Sequence, residues 1–132
     1  MAVLLRDSGF DPWAELRTHE ASRLEAGSFG ATASFVGTMR DFNEDASVAG
    51  MFLEHYPGMT ERELERIVDE EAERHGLLDA LVIHRVGAIG IGEPIVLVVT
   101  WSAHRAAAFD ACRAIMEALK SRAPFWKREE TG

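Results

Sequence analysis

The chain has 132 residues, 47% hydrophobic and 27% charged, with a formal net charge of −8 at pH 7. This is an ordinary globular mixture, and its acidity argues against nucleic acid as the main partner, because counterion release needs an extended basic face. No apolar run reaches the roughly 18 residues that span a bilayer, and residues 1–7 have neither a basic n-region nor a long apolar run. We expect a cytoplasmic protein with one domain over residues 1–132. The single cysteine, Cys112, excludes an internal disulfide framework and a cysteine-rich zinc site.

Residues 2–6 are apolar and predict a short opening strand. Asp11-Pro12-Trp13 reads as a helix start, with Asp11 as N-cap and Pro12 at the first helical position. That helix is expected to run to about Glu25 and stop before Gly27. Residues 29–39 predict a strand of small and apolar residues, followed by a polar loop at 41–45. A second strand is expected over 47–56, ended by the turn Pro57-Gly58. Thr60 with Glu63 predicts a capping box. The helix behind it places Leu64, Ile67, Val68 and Ala72 on one face and ends at Gly76. Strands over about 79–87 and 94–101 follow, joined by a glycine-rich hairpin turn at 87–92. A last helix is expected from about His104 to Lys120, with Phe109, Cys112, Met116 and Leu119 on its buried face. Pro124 stops it, and residues 125–129 return as a short strand. Hairpins alternating with helices predict an α+β fold with a mixed or antiparallel sheet and three main helices.

The closing stretch, Lys120-Ser121-Arg122-Ala123-Pro124-Phe125-Trp126-Lys127-Arg128, holds four cations and no acid on an acidic chain. Like charges gathered beside Pro, Phe and Trp repel one another, so an anion is expected among them. Lys120 alone reads as a cation complementing a helix dipole. The Pro-kinked aromatic turn can bring Lys127 back to it, and two ammonium groups held together depress each other's pKa.

Other candidates are weaker. His84-Arg85 lies within a strand, where neighbours face opposite ways, so a structural and a functional role weigh about equally. His104-Arg105 at a helix start could bind phosphate or carboxylate, against an ordinary surface helix start capped by Ser102. Arg40 ends a strand that feeds a loop, with a salt bridge to Asp41 or Asp45 as the plain alternative. The turn at 87–92 lacks phosphate-loop spacing. Cys112 reads as a small core residue. The histidines at 19, 55, 75, 84 and 104 show no metal spacing, so no metal and no bound cofactor are expected.

Five stretches stand in order: Phe35-Val36-Gly37-Thr38-Met39-Arg40-Asp41, Leu53-Glu54-His55-Tyr56-Pro57-Gly58-Met59, Ile83-His84-Arg85-Val86-Gly87, Ser102-Ala103-His104-Arg105, and Leu119 through Glu129. Together they resemble the catalytic (large) subunit family of molybdopterin synthase. The resemblance implies an α/β hammerhead-type fold. It also implies a sulfurtransferase that converts cyclic pyranopterin monophosphate into molybdopterin, taking sulfur from the thiocarboxylated Gly-Gly C-terminus of a small ubiquitin-like subunit. It implies a homodimer of large subunits flanked by two small ones, a heterotetramer. Position by position, Lys120 and Lys127 match the essential lysines. Thr38, Met39, Arg40, His104, Arg105, Arg128 and Glu129 match substrate-contacting positions. Family members continue past this point with a polar and aromatic segment that this sequence does not contain. The sequence ends in Thr131-Gly132 rather than Gly-Gly, so it is not expected to be the sulfur carrier itself. The rival expectation is a non-catalytic paralogue that binds the ubiquitin-like tail or an anion without turnover.

Overall fold

The computed structural model describes residues 1–43, 46, 47 and 50–130, with the backbone only at 42, 43, 46, 47 and 128–130. Among the described residues the strands are β1 (Ala2–Arg6), β2 (Ala31–Thr38), β3 (Phe42–Asn43), β4 (Ala46–Ser47), β5 (Gly50–His55), β6 (Asp79–Arg85), β7 (Gly87–Gly90), β8 (Pro94–Ser102) and β9 (Phe125–Glu130). The helices are α1 (Pro12–Arg23), α2 (Met59–His75) and α3 (Arg105–Arg122). The expected class, α+β with mixed and antiparallel sheets, is what forms.

The main sheet has the order β1-β6-β8-β2, with β1 parallel to β6 and the other neighbours antiparallel. Side chains alternate along β6. Ala80 and Val82 meet Leu64, Ile67 and Val68 of α2 and Ala108, Cys112, Ile115 and Leu119 of α3. Leu81 and Ile83 join Leu97, Val99 and Trp101 on the opposite face, where Phe10, Leu16, Leu24 and Phe29 cover them. Both faces of the central strands are therefore dry. Each fully buried aliphatic side chain, such as Leu64 or Ile67, contributes about 1.5–3 kcal/mol of burial.

A polar cluster ties α1 to this sheet. The His19 ring stacks on Trp101 at 5.1 Å, and its Nε2 lies 2.8 Å from Asp79 Oδ2. Trp101 Nε1 donates to Glu20 Oε1 at 2.9 Å. Asp11 caps α1 as expected, accepting from the Trp13 and Ala14 amides. The helix ends two residues early, at Arg23.

A second sheet, β7-β5-β9, is antiparallel throughout. It changes two expectations. Gly87, at φ 78°, redirects the chain, so that Gly87–Gly90 form a strand on β5 and the turn shrinks to the residues before Glu93. The second strand begins at Gly50 rather than 47; Ser47 belongs to a two-residue ladder with the chain just before it, and 48 and 49 lie outside the described residues, as do 44 and 45 of the expected loop.

The capping expectation at Thr60 is corrected. The N-cap of α2 is Gly58, whose amide donates to Glu61 Oε1 at 2.8 Å, and Glu63 takes no part. Glycine has no side chain to return the bond. Thr60 sits inside the first turn, fully buried. Its hydroxyl accepts from the Tyr56 amide at 2.9 Å and donates to the Pro124 carbonyl at 3.2 Å. The buried face of α2 and the left-handed cap at Gly76, φ 64°, form as expected. On α3, Phe109 is 65% exposed and not part of the core; Ala108, Ala111 and Ile115 fill that stripe beside Cys112 and Leu119.

Replacing Thr60 with Val keeps its shape and removes both hydrogen bonds. We predict a loss of about 1–3 kcal/mol, because two interior backbone groups lose their partner. The measurement is a lower urea midpoint at unchanged m; a wild-type midpoint contradicts the assignment.

Candidate functional site

The site starts from one row of the main sheet. His84, Val96 and Gly37 lie side by side at its end, on the face that carries α2 and α3. Gly37 is suited to this crowded row, since a Cβ there would come within 3.0 Å of Val96 Cγ1. Over the row pass Met116, Leu119 and Lys120 of α3, with Met116 and Lys120 one turn apart. After Arg122 the chain turns at Ala123-Pro124 and returns as β9. Phe125 stacks on the His84 ring at 4.2 Å. Lys127 lies two residues on, along the same face of the strand. The result is a cavity of about 410 Å³ lined by both lysines together with Thr38, His84 and mainly apolar side chains.

This arrangement brings Lys120, Lys127 and Thr38 together. Met39 is next to Thr38 but 8% exposed, packed in a small core with Met51, Leu53 and Ile89. Its amide donates to the Glu93 carbonyl and its carbonyl accepts from the Gly92 amide, both at 2.9 Å. Met39 thus pins the edge of the cavity, and Met51 from the same cluster lines it. Arg40 follows, exposed. Behind this cluster the buried Arg85 pairs with Glu93 at 3.1 Å and also donates to the Ala88 carbonyl. The Gly90 amide, then Arg85, hold the Glu93 carboxyl below its ordinary range.

Other expected members are elsewhere. His104 is the N-cap of α3 and Arg105 its first residue, both exposed. They are separated from Lys120 by most of the helix, about 22 Å at 1.5 Å per residue. Within one chain they do not join the lysines. Ser102 does not cap α3 through that helix's amides; its hydroxyl donates to the His104 carbonyl. Arg128 and Glu129 continue β9 opposite Phe52 and Met51, and their side chains lie outside the described residues. Arg122 leaves the cationic cluster altogether. It reaches Glu63 and Glu70 of α2, at 2.9 Å each. Its hydrogen bonds to Glu70, then Glu63, push the guanidinium pKa up, and the Glu70 carboxyl is held down by the same contact. The anion expected for that cation is the protein's own.

Cys112 is a core residue, as expected. Burial pushes its thiol up to about 11, and Sγ faces the Val98 carbonyl at 3.7 Å. Among the described residues no three His, Cys, Asp or Glu side chains group to hold a metal ion, and no helix is long and apolar enough to cross a membrane. His84, whose role the sequence left open, and Met116, expected on the buried face of the last helix, are cavity members outside the predicted site. Their signals were present: Met116 stands four residues before Lys120, and His84 two residues after Val82.

The fold and site define an α+β protein with an apolar-floored cavity and two converging lysines, a receptacle suited to anionic groups. The chain belongs to the MoaE protein family, whose pattern matches residues 13–122. It is 50% identical over 131 residues to the molybdopterin synthase catalytic subunit of Pseudomonas aeruginosa, covering 99% of this chain and 85% of that protein. Its fold is close to that of the molybdopterin biosynthesis MoaE protein from Burkholderia ambifaria, with TM-score 0.85, 40% identity, and coverage of 99% and 90% of the two chains. A chain in a Helicobacter pylori complex of subunits 1 and 2 of molybdopterin-converting factor, 24% identical, shares the fold with TM-score 0.80 over 96% of this chain and 83% of that one.

If Arg122 is a fastener of α3 to α2 rather than a ligand of the cavity, Arg122→Ala should keep wild-type activity in the sulfur-transfer assay described below. Loss of activity in a folded variant contradicts that role.

Proposed function

We propose that this chain is the catalytic subunit of a molybdopterin synthase. It transfers sulfur from the thiocarboxylated C-terminus of a small ubiquitin-like subunit to cyclic pyranopterin monophosphate, forming the molybdopterin dithiolene. Family membership and the names of its relatives support the reaction. The observation that carries the reading is the convergence of Lys120 and Lys127 on one cavity. Both ligands are anions, a cyclic phosphate and a thiocarboxylate, and an ammonium pair over an apolar floor attracts both. A narrow extended Gly-Gly tail suits a cavity of this size better than a bulky C-terminus.

Position in the cavity and the family resemblance support the following roles. Lys120 is the acid/base group: sulfur attack on the side-chain carbon expels oxygen, which needs a proton to leave. Lys127 binds the substrate anion beside it. Thr38 offers a hydroxyl at the rim, and Arg40, Arg128 and Glu129 complete the substrate contacts. Each delivery forms a carbon–sulfur bond, and hydrolysis then frees the tail as a carboxylate. A dithiolene therefore requires two deliveries.

His104 and Arg105 act, in this reading, at the cavity of a second copy. The shallow apolar groove between β2 and α3, with exposed Phe35 and Phe109, supports such a homodimer. Among the described residues β2 is an outer strand of its sheet, which leaves this side open to a partner. Small subunits bound to each large one would make a heterotetramer, in the cytoplasm.

Lys120→Ala is expected to lower product formation by roughly 10²-fold or more, the scale of a lost acid/base group, without changing the thermal midpoint. Lys127→Ala is expected to raise KM more than it lowers kcat. The assay mixes the protein with the thiocarboxylated small subunit and cyclic pyranopterin monophosphate and reads dithiolene. Wild-type turnover by the Lys120 variant would sink the assignment.

A further inference from the structure

A buried ion pair behind the cavity has no part in the roles above. Arg85 continues the row Leu81, Ile83 on the face of β6 opposite the helices, and it is only 3% exposed. An apolar side chain would suit that row. Burying a guanidinium costs desolvation energy that a carboxylate offsets only when the remaining donors are also satisfied, and here the buried Nε makes no hydrogen bond among the described residues. What the arginine does is hold a turn. Its Nη1 donates to Glu93 Oε2 at 3.1 Å, and its Nη2 donates to the Ala88 carbonyl. The other oxygen of Glu93 accepts from the Gly90 amide, and the Glu93 amide donates to the Gly90 carbonyl at 3.2 Å. Gly9 passes close by; a Cβ there would stand 3.2 Å from Glu93 Oε2.

The turn so held is the one that meets the end of β2. Strands β2 and β8 run in register from Ala31 opposite Ser102 to Gly37 opposite Val96, then slip by one residue, so that Thr38 faces Pro94. Beyond the slip the pairing passes to the turn. The Met39 amide donates to the Glu93 carbonyl and the Gly92 amide donates to the Met39 carbonyl, both at 2.9 Å. Both backbone groups of Met39 thus depend on residues 92 and 93, while its side chain is buried with Met51, Leu53 and Ile89. Thr38, immediately before it, lines the cavity, and the exposed Arg40 follows immediately after. The stretch Thr38-Met39-Arg40 is therefore placed by a turn that Arg85 and Glu93 hold.

We propose that Arg85 and Glu93 are a pair of positioning residues: their ion pair holds the Gly90–Glu93 turn, the turn holds both backbone groups of Met39, and this fixes where Thr38 and Arg40 stand for the anionic substrate. The inference rests on the reading of Thr38 and Arg40 as substrate contacts, but its first test needs no substrate. Glu93→Ala removes the carboxylate and leaves the backbone groups of residue 93 in place. Hydrogen exchange, read amide by amide by NMR, should then be roughly tenfold or more faster at Met39 and Gly92, the scale of a lost hydrogen bond to a charged group, and unchanged at Val82 and Val98 in the centre of the main sheet. Wild-type protection at Met39 and Gly92 overturns the proposal, and so does an equal rise at all four amides, which would mean a general loss of stability. Arg85→Met keeps the length of the buried side chain and removes its charge. Each single variant should raise the calorimetric Kd for cyclic pyranopterin monophosphate about threefold to tenfold while kcat stays within about twofold. The double variant should raise Kd no further, because the same clamp is already broken. An unchanged Kd in the single variants, or effects that multiply in the double, contradicts the proposal. If Arg85→Met does not fold, the exchange rates and Kd of Glu93→Ala decide alone. A wild-type protein that neither binds the pterin nor forms product would defeat the functional reading, while the exchange pattern would still decide whether the pair holds Met39.

Discussion

The site depends on the chain reversal at Ala123-Pro124. Seven positions separate Lys120 from Lys127, and a helix or an extended strand would carry them apart. The reversal is held from two sides. The buried Thr60 hydroxyl donates to the Pro124 carbonyl, which ties the turn to the first turn of α2. β9 then pairs with β5 over its whole length, Phe125 opposite His55 through Glu130 opposite Gly50. Together these contacts fix which face of β9 carries Lys127.

The second constraint is electrostatic. An acidic protein concentrates two ammonium groups over a largely apolar floor, and two arginines, Arg122 and Arg85, are turned to acids of the fold. Arg122 pairs with Glu63 and Glu70, and Arg85 pairs with Glu93 and a carbonyl, its buried Nε making no hydrogen bond among the described residues. What remains at the cavity is a short row of lysines with a histidine beneath them. Such an arrangement attracts anions. The buried, unreactive Cys112 fits the same picture, in which the sulfur comes from outside the chain.

Much of this was legible from sequence because it is local. Asp11-Pro12 starts a helix by capping chemistry, Gly76 ends one through its positive φ, and the α2 face repeats at helical spacing. The two lysines stood out because like charges rarely gather on an acidic chain. What escaped depends on partners distant in sequence. Gly87–Gly90 is a strand because β5, more than thirty residues earlier, offers it an edge. Arg122 is a fastener because glutamates 52 and 59 residues away face it. Phe109 has the spacing of a buried residue but sits at the margin of the stripe, where smaller alanines meet the sheet. The facing of His84 could not be read, because both faces of β6 are buried and its apolar pattern does not tell them apart.

The central claim is that the paired lysines make this cavity a place where sulfur is transferred, and not only a place where anions dock. The most direct measurement is reconstitution: the wild-type protein, a thiocarboxylated small subunit and cyclic pyranopterin monophosphate, with dithiolene formation followed over time. The account predicts product, with two carrier tails converted to carboxylate for each molybdopterin formed. Tight binding of both ligands without any dithiolene would contradict it.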